Sequence, residues 1–278
     1  MHASGQGVPQ DDAEAVKWYR KAAEQGDAWA QFILGTMYAE GLGVPQDQTK
    51  AVNWYRKAAE QGHADAQDNL GLSYAKGKGV PQNFTEAAKW FRKAAERGHA
   101  DAQYNLGVAY YGGHGAPQNY TEAMKWYREA AEQGHAAAQF NLGFMFGNGQ
   151  GVPEDDAEAV KWFRKAAEQG RADAQVYLGF MYHGGEAVPQ DYAEALKWFR
   201  KAAEQGDAEA QNALGSMYGD GAGVPKDNVL ASMWFSLAAA AGAEGAQENR
   251  DLAASLMTPD QIAEAQRMAR EWMAKHQQ

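Results

Sequence analysis

Apolar residues recur along this chain in two interleaved patterns, both with the spacing of an α-helix. Ala15, Trp18, Tyr19, Ala22 and Ala23 stand at i, i+3, i+4, i+7 and i+8, with Lys17, Lys21 and Glu24 on the other side. Asp11 before this stripe can accept a hydrogen bond from an orphan backbone N–H, and Glu14 completes a capping box. Gly26 follows, where a left-handed residue closes the last turn without a Cβ clash. The other pattern starts at once and carries Ala28, Ala30, Gln31, Leu34, Gly35 and Tyr38. A glycine inside a helix costs about 1 kcal/mol against alanine, so Gly35 marks a place where another helix comes close. The loop from Gly41 to Gln46 then leads to Asp47, the next capped start.

The same words return every 36 residues, in register with Pro9, Pro45, Pro81, Pro117, Pro153, Pro189 and Pro225. A unit of this size is one supersecondary element that cannot bury its own apolar face, so neighbours must stack. Taking residues 27–62 as one copy, with the Gln31 pattern as first helix and the Trp18 pattern as second, further copies start at His63, His99, His135, Arg171 and Asp207. Second helices are capped by Asp11, Asp47, Asn83, Asn119, Asp155, Asp191 and Asp227, while Lys50 and Leu230 break the capping box. Residues 1–26 thus read as a partial first repeat and residues 27–242 as six two-helix repeats. Residues 243–278 read as a C-terminal capping helix pair, in which Arg250 and Asp251 replace the Leu-Gly pair. Thr258, Pro259 and Gln261 open its longer last helix, whose apolar side holds Ile262, Ala265, Met268, Ala269 and Trp272. At the other end nothing equivalent covers the flank around Trp18, which is expected to be partly bare.

Charge and composition narrow the function. A formal net charge of -10 works against the phosphate attraction that dominates nucleic-acid affinity, so nucleic acid is not an expected partner. There is no cysteine for a disulfide or thiolate site. No run of about 18 apolar residues suggests membrane insertion. Met1 and His2 fall in register with Met37 and Tyr38, so the chain begins inside a repeat. A missing signal peptide therefore does not argue for the cytoplasm, and a periplasmic or secreted location is favoured if one preceded this sequence. A monomer is expected, with the bare N-terminal flank as the place where self-association would occur.

The repeated words, ALG or NLG followed by Tyr, GxGVPQD and EAxKWYRKAAEQG, resemble the Sel-one-like repeat family, close kin of the tetratricopeptide repeat. The resemblance covers residues 1 to about 242. It implies an all-α fold, a right-handed alpha-alpha superhelical solenoid whose first helices line a concave face, used as a protein interaction scaffold. It also implies no catalytic residue; no cofactor or metal is expected.

On the first helix the slots of Gln31, Leu34, Gly35 and Tyr38 hardly change between copies, while those of Trp29, Phe32, Ile33, Thr36, Ala39 and Glu40 vary. By analogy with tetratricopeptide repeats the varying slots line a ligand groove. The candidate binding residues are Trp29, Phe32, Asp65, Asp68, Asn69, Asp101, Tyr104, Asn105, Tyr111, Phe140, Asn141, Phe144, Tyr177, Phe180 and Asn212. Asn69, Asn105 and Asn141 share one slot, where amides can bond the backbone of an extended peptide or bond across the helix pair. The rings can anchor a partner or pack between adjacent first helices. The acidic members point to a partner with basic residues, or form a solvated rim.

Sharper chemistries are weaker. His63, His99 and His135 share a slot, but packed helices lie about 8–10 Å apart and zinc requires nitrogens at about 2 Å, so they read as exposed histidines at helix starts. Gly147 to Val152 echoes a dinucleotide fingerprint without the strand it needs. Ser73 and Lys76 spell the serine-x-x-lysine of penicillin-recognising enzymes without its partner motifs. Sequons at Asn83 and Asn119 coincide with helix caps. The expected function is a non-enzymatic adaptor for a peptide segment or protein surface. The alternatives are a toxin-neutralising or envelope-regulatory repeat protein and a beta-lactam-binding or hydrolytic enzyme.

Overall fold

The computed structural model describes residues 11–185 and 187–276. Among them all regular structure is helical: α1 (Asp12–Glu24), α2 (Ala28–Glu40), α3 (Gln48–Glu60), α4 (Ala64–Lys76), α5 (Phe84–Ala95), α6 (Ala100–Gly112), α7 (Tyr120–Glu132) and α8 (Ala136–Gly147). They continue as α9 (Asp156–Glu168), α10 (Ala172–Gly184), α11 (Tyr192–Glu204), α12 (Ala208–Asp220), α13 (Asn228–Ala240), α14 (Ala246–Ser255) and α15 (Pro259–His276). Even numbers up to α14 are first helices and odd numbers up to α13 are second helices. The fold is an all-α solenoid of two-helix repeats, and the chain divides within α8 into two compact units.

One unit holds the chain up to Ala138 together with Gln150–Val152. Here α2 packs on α3, α4 on α5 and α6 on α7, and each first helix also packs on the second helix before it. Leu34, Leu70 and Leu106 are fully buried between them. The mid-helix glycines explain the close approach: a Cβ on Gly35, Gly71 or Gly107 would lie 2.7, 2.6 or 2.6 Å from the ring of Tyr55, Phe91 or Tyr127. A ring laid flat on a helix backbone offsets the propensity lost at glycine by burying a large apolar area. Lys50 does not spoil its helix start, because Asp47 still accepts from the Lys50 N–H at 2.9 Å and pairs with its ammonium at 3.2 Å.

Repeats in this unit are also sewn by buried amides. Gln31 Nε2 donates to the Ala23 carbonyl at 3.0 Å, and Gln61 Nε2 of the following second helix donates to Gln31 Oε1 at 2.8 Å. The bond recurs from Gln133 to Gln103 at 2.6 Å. Between them Arg97 stands in the donor's slot, and Gln67 Oε1 is buried without a partner. In α1 Trp18 is 55% exposed.

The other unit holds Gln139–Gly149 and the chain from Pro153 onward. Phe163, Phe199 and Phe235 lie over Gly143, Gly179 and Gly215, as in the first unit. The slot of Trp18 is filled here by Trp162, Trp198 and Trp234, all buried, whereas Trp54, Trp90 and Trp126 are half-buried. The amide bond recurs from Gln169 to Gln139 and from Gln205 to Gln175 at 2.7 and 2.8 Å. It lapses where Ala241 takes the donor slot, leaving Gln211 Oε1 buried without a partner. At the end α14 is short and packs on α13, and α15 also lies against α13. Trp272 meets Trp234 edge to face at 6.1 Å. Thr258 and Gln261 close a reciprocal capping box at 2.9 and 3.3 Å.

Candidate interaction surface

In the first unit the varying stripe mixes rings with polar side chains, and much of it is already engaged. Trp29 is exposed and meets Tyr19 edge to face at 5.5 Å. Phe32 is half-buried, stacked on His63 at 4.8 Å and tilted against Tyr55 at 6.1 Å. Tyr104 repeats this against His135 at 4.6 Å and Tyr127 at 5.8 Å. Asp68 is only 5% exposed and accepts from Asn105 Nδ2 at 2.9 Å. Burial raises its pKa above the ordinary 3.8, and the Asn105 hydrogen bond opposes that rise. Asn69 reaches the hydroxyl of Tyr55, whose pKa burial raises. The Tyr111 hydroxyl donates to Gln150 Oε1 at 3.0 Å.

The shared histidine slot differs from its sequence reading. His63, His99 and His135 are half-buried helix caps, not exposed side chains. Each Nδ1 accepts a backbone N–H, from Ala66 at 3.4 Å, Ala102 at 3.2 Å and Ala138 at 3.1 Å. This is the task Asp27 and Asp207 perform in their copies. With Nδ1 accepting, the ring proton of the neutral form sits on Nε2. Nε2 of His99 then meets Asp65 at 3.1 Å, and that of His135 meets Asp101 at 3.3 Å. Asp65 and Asp101 are exposed, yet each ties one repeat to the next. Sequence reasoning missed this because histidine is not among the usual capping residues; its recurrence one residue after the helix-ending glycine was the available signal.

In the second unit the stripe is aromatic. Phe140 is half-buried, near Phe163 at 5.5 Å and Tyr177 at 5.6 Å, with the Arg171 guanidinium 5.3 Å from its ring centre. Phe144 is half-buried and lies 6.3 Å from Tyr177. Tyr177 stacks on Phe163 at 5.2 Å and Phe180 meets Phe199 at 5.0 Å, yet these two rings remain 40% and 44% exposed. Asn141 is half-buried. Asn212 accepts from Asn249 at 3.1 Å.

The remaining motifs carry no assembled chemistry among the described residues. Ser73 is buried and its hydroxyl donates to the Asn69 carbonyl at 2.8 Å. Asn83 and Asn119 cap their helices through Oδ1, to Glu86 and Glu122 at 3.1 Å each. No group of three or more histidine and acidic side chains is arranged to hold a metal ion among the described residues. No helix among them is long and apolar enough to cross a membrane.

The sequence profile of the Sel1 repeat matches residues 1–27, 30–63, 64–99, 100–135, 136–170, 172–207 and 208–242. Among solved structures the chain is similar to a Sel1 repeat protein from Oxalobacter formigenes, at 40% identity and a TM-score of 0.77, over 89% of this chain and 71% of that one. It is also similar to a protective antigen with an SLR fold from uropathogenic Escherichia coli, at 33% identity and a TM-score of 0.45, over 99% and 75% of the two chains. An immunity protein from Pseudomonas aeruginosa matches at 23% identity and a TM-score of 0.43, over 86% of each chain. No curated protein matches.

Proposed function

We propose that this chain, which belongs to the Sel1 repeat family, is a non-enzymatic scaffold that holds a protein segment on the varying stripe of its first helices. Repeats of this family serve as protein–protein interaction scaffolds. The observation that carries the finer reading is the exposure of Tyr177 and Phe180 on α10. Rigid rings that a folded chain leaves 40% and 44% open have desolvation energy still to gain from a partner. Phe140 and Phe144 widen the same apolar patch. In the first unit, exposed Asp65 and Asp101 add acidic groups that suit a basic segment, and Asn69, Asn105, Asn141 and Asn212 supply amides beside the stripe.

The test is selection of a displayed random-peptide library against the whole chain, followed by titration of labelled winners. Tyr177→Ser with Phe180→Ser is expected to weaken the winners at least tenfold while the far-ultraviolet circular dichroism stays unchanged. Winners that bind this double variant as tightly as the parent, with the fold intact, would remove the α10 stripe from the function.

A further inference from the structure

Between α12 and α14 the stripe opens into a pocket of 360 Å³. The sequence explains the opening. α10 carries the rings of Phe180 and His183 in two slots one turn apart, and α12 carries Ser216 and Gly219 in the same slots. The space those rings would take is left open. Leu252 of α14 and Leu256, which follows that helix, line the facing side, and Phe235 lines the pocket as well. The leucines are 66% and 61% exposed, a large apolar exposure for two neighbouring aliphatic side chains.

The rim has its own chemistry. Asp220 and Lys226 both line the mouth, both are exposed, and neither side chain has an ion pair or hydrogen bond among the described residues. Lys226 stands in a slot held by glutamine in most other copies and by Glu154 in one; in the α10 copy Gln190 Nε2 donates to the His183 carbonyl at 2.8 Å. The substitution has therefore exchanged an internal amide bond for an unpaired ammonium at the pocket mouth. Aliphatic walls, open space in the slots where α10 carries rings, and an unpaired acceptor and an unpaired donor lining the same pocket together describe a ring with a polar tip. A phenol is both donor and acceptor, so its hydroxyl can donate to Asp220 while accepting from Lys226. Phenylalanine would desolvate both charges without bonding either.

We propose that this pocket receives a tyrosine side chain from a protein partner, with the ring against Leu252 and Leu256 and the hydroxyl between Asp220 and Lys226. The proposal rests on the scaffold reading in taking the ring from a protein, but it uses none of the α10 residues. The first probe is p-cresol, titrated into the full chain with methyl-labelled leucine and followed by NMR. Saturable shifts of the Leu252 and Leu256 methyl signals are expected, several-fold weaker with toluene. Lys226→Ala should bring p-cresol down to the level of toluene. Ser216→Phe, which refills the slot as Phe180 does, should abolish the shifts without lowering Tm. Unmoved methyl signals, equal responses to p-cresol and toluene, or an unchanged response in Ser216→Phe would each overturn the pocket. Peptides displayed against the parent, with Ser216→Phe as the counter-target, should converge on tyrosine. Winners that need Tyr177 and Phe180 but ignore Ser216 would refute the tyrosine pocket and leave the scaffold standing.

Discussion

Arg97→Gln should stabilise the protein, and the structure sets the size of the gain. At four junctions a glutamine of the second helix donates to a buried glutamine oxygen of the preceding first helix, at 2.6 to 2.8 Å. At two junctions the donor is absent, because its slot holds Arg97 or Ala241, and at those two the acceptors Gln67 Oε1 and Gln211 Oε1 are buried without partners. A buried acceptor left unbonded costs about 1–3 kcal/mol, and a restored neutral bond removes most of that penalty. Arg97 is exposed and lies over Gly62, so removing it sacrifices little. The expected gain is about 1–2 kcal/mol, which in a chain of this size raises Tm by roughly 2–4 °C per kcal/mol. Urea titration followed by circular dichroism measures it, with Arg97→Ala as the control that deletes the guanidinium without supplying a donor. Should Arg97→Gln prove no more stable than Arg97→Ala, the amide bond contributes nothing to the junction and the account of the two orphan oxygens fails.

Gly179→Ala should destabilise by about 1–3 kcal/mol, because the added Cβ would stand 2.4 Å from the buried ring of Phe199; a chemical-denaturation midpoint equal to that of the parent would contradict the close approach. Asp68→Asn tests the buried carboxyl through pH. Its folded pKa is raised above 3.8, so between the two values the folded state holds more protons than the unfolded one, and stability falls as pH rises through that window. The carboxyl is thus a liability at neutral pH and none at acid pH. Asparagine keeps an acceptor for Asn105 and carries no charge, so the variant should exceed the parent in stability at pH 7 and match it at pH 3. A constant difference across that range would show that Asp68 does not titrate as its burial requires.

Much of this architecture can be read from the chain because local and global signals agree. The caps, the helix-ending glycines and the mid-helix glycines each demand one backbone geometry, and the copies repeat it. What escaped the sequence were interactions joining residues 30 to 37 apart in neighbouring copies. The Gln61–Gln31 bond joins two slots that looked like separate defaults of the motif, one of them near a helix end where glutamine is unremarkable. The His99–Asp65 contact joins a residue read as exposed to one read as rim. Periodicity identifies which face of a helix is apolar; it does not say which polar residue of one copy meets which of the next, since that depends on the offset between stacked pairs.

That offset reshapes the reading of the variable surface. The slot of Phe32 in one first helix meets the slot of Ile33 in the next: Asp68 with Asn105 at 2.9 Å, Phe140 with Tyr177 at 5.6 Å, and Asn212 with Asn249 at 3.1 Å. Residues that vary copy by copy as single positions are therefore partners across a junction, polar with polar and ring with ring. Part of their variation answers to a neighbour within the chain, and a side chain so engaged has less to offer a ligand. The slot one turn further along meets the next helix through Phe144 and Tyr177 at 6.3 Å, and at Val108, Phe180 and Leu252 it leaves large apolar groups exposed. On the scaffold proposal, recognition would draw on that turn together with the part of Tyr177 that its pairing with Phe140 leaves exposed.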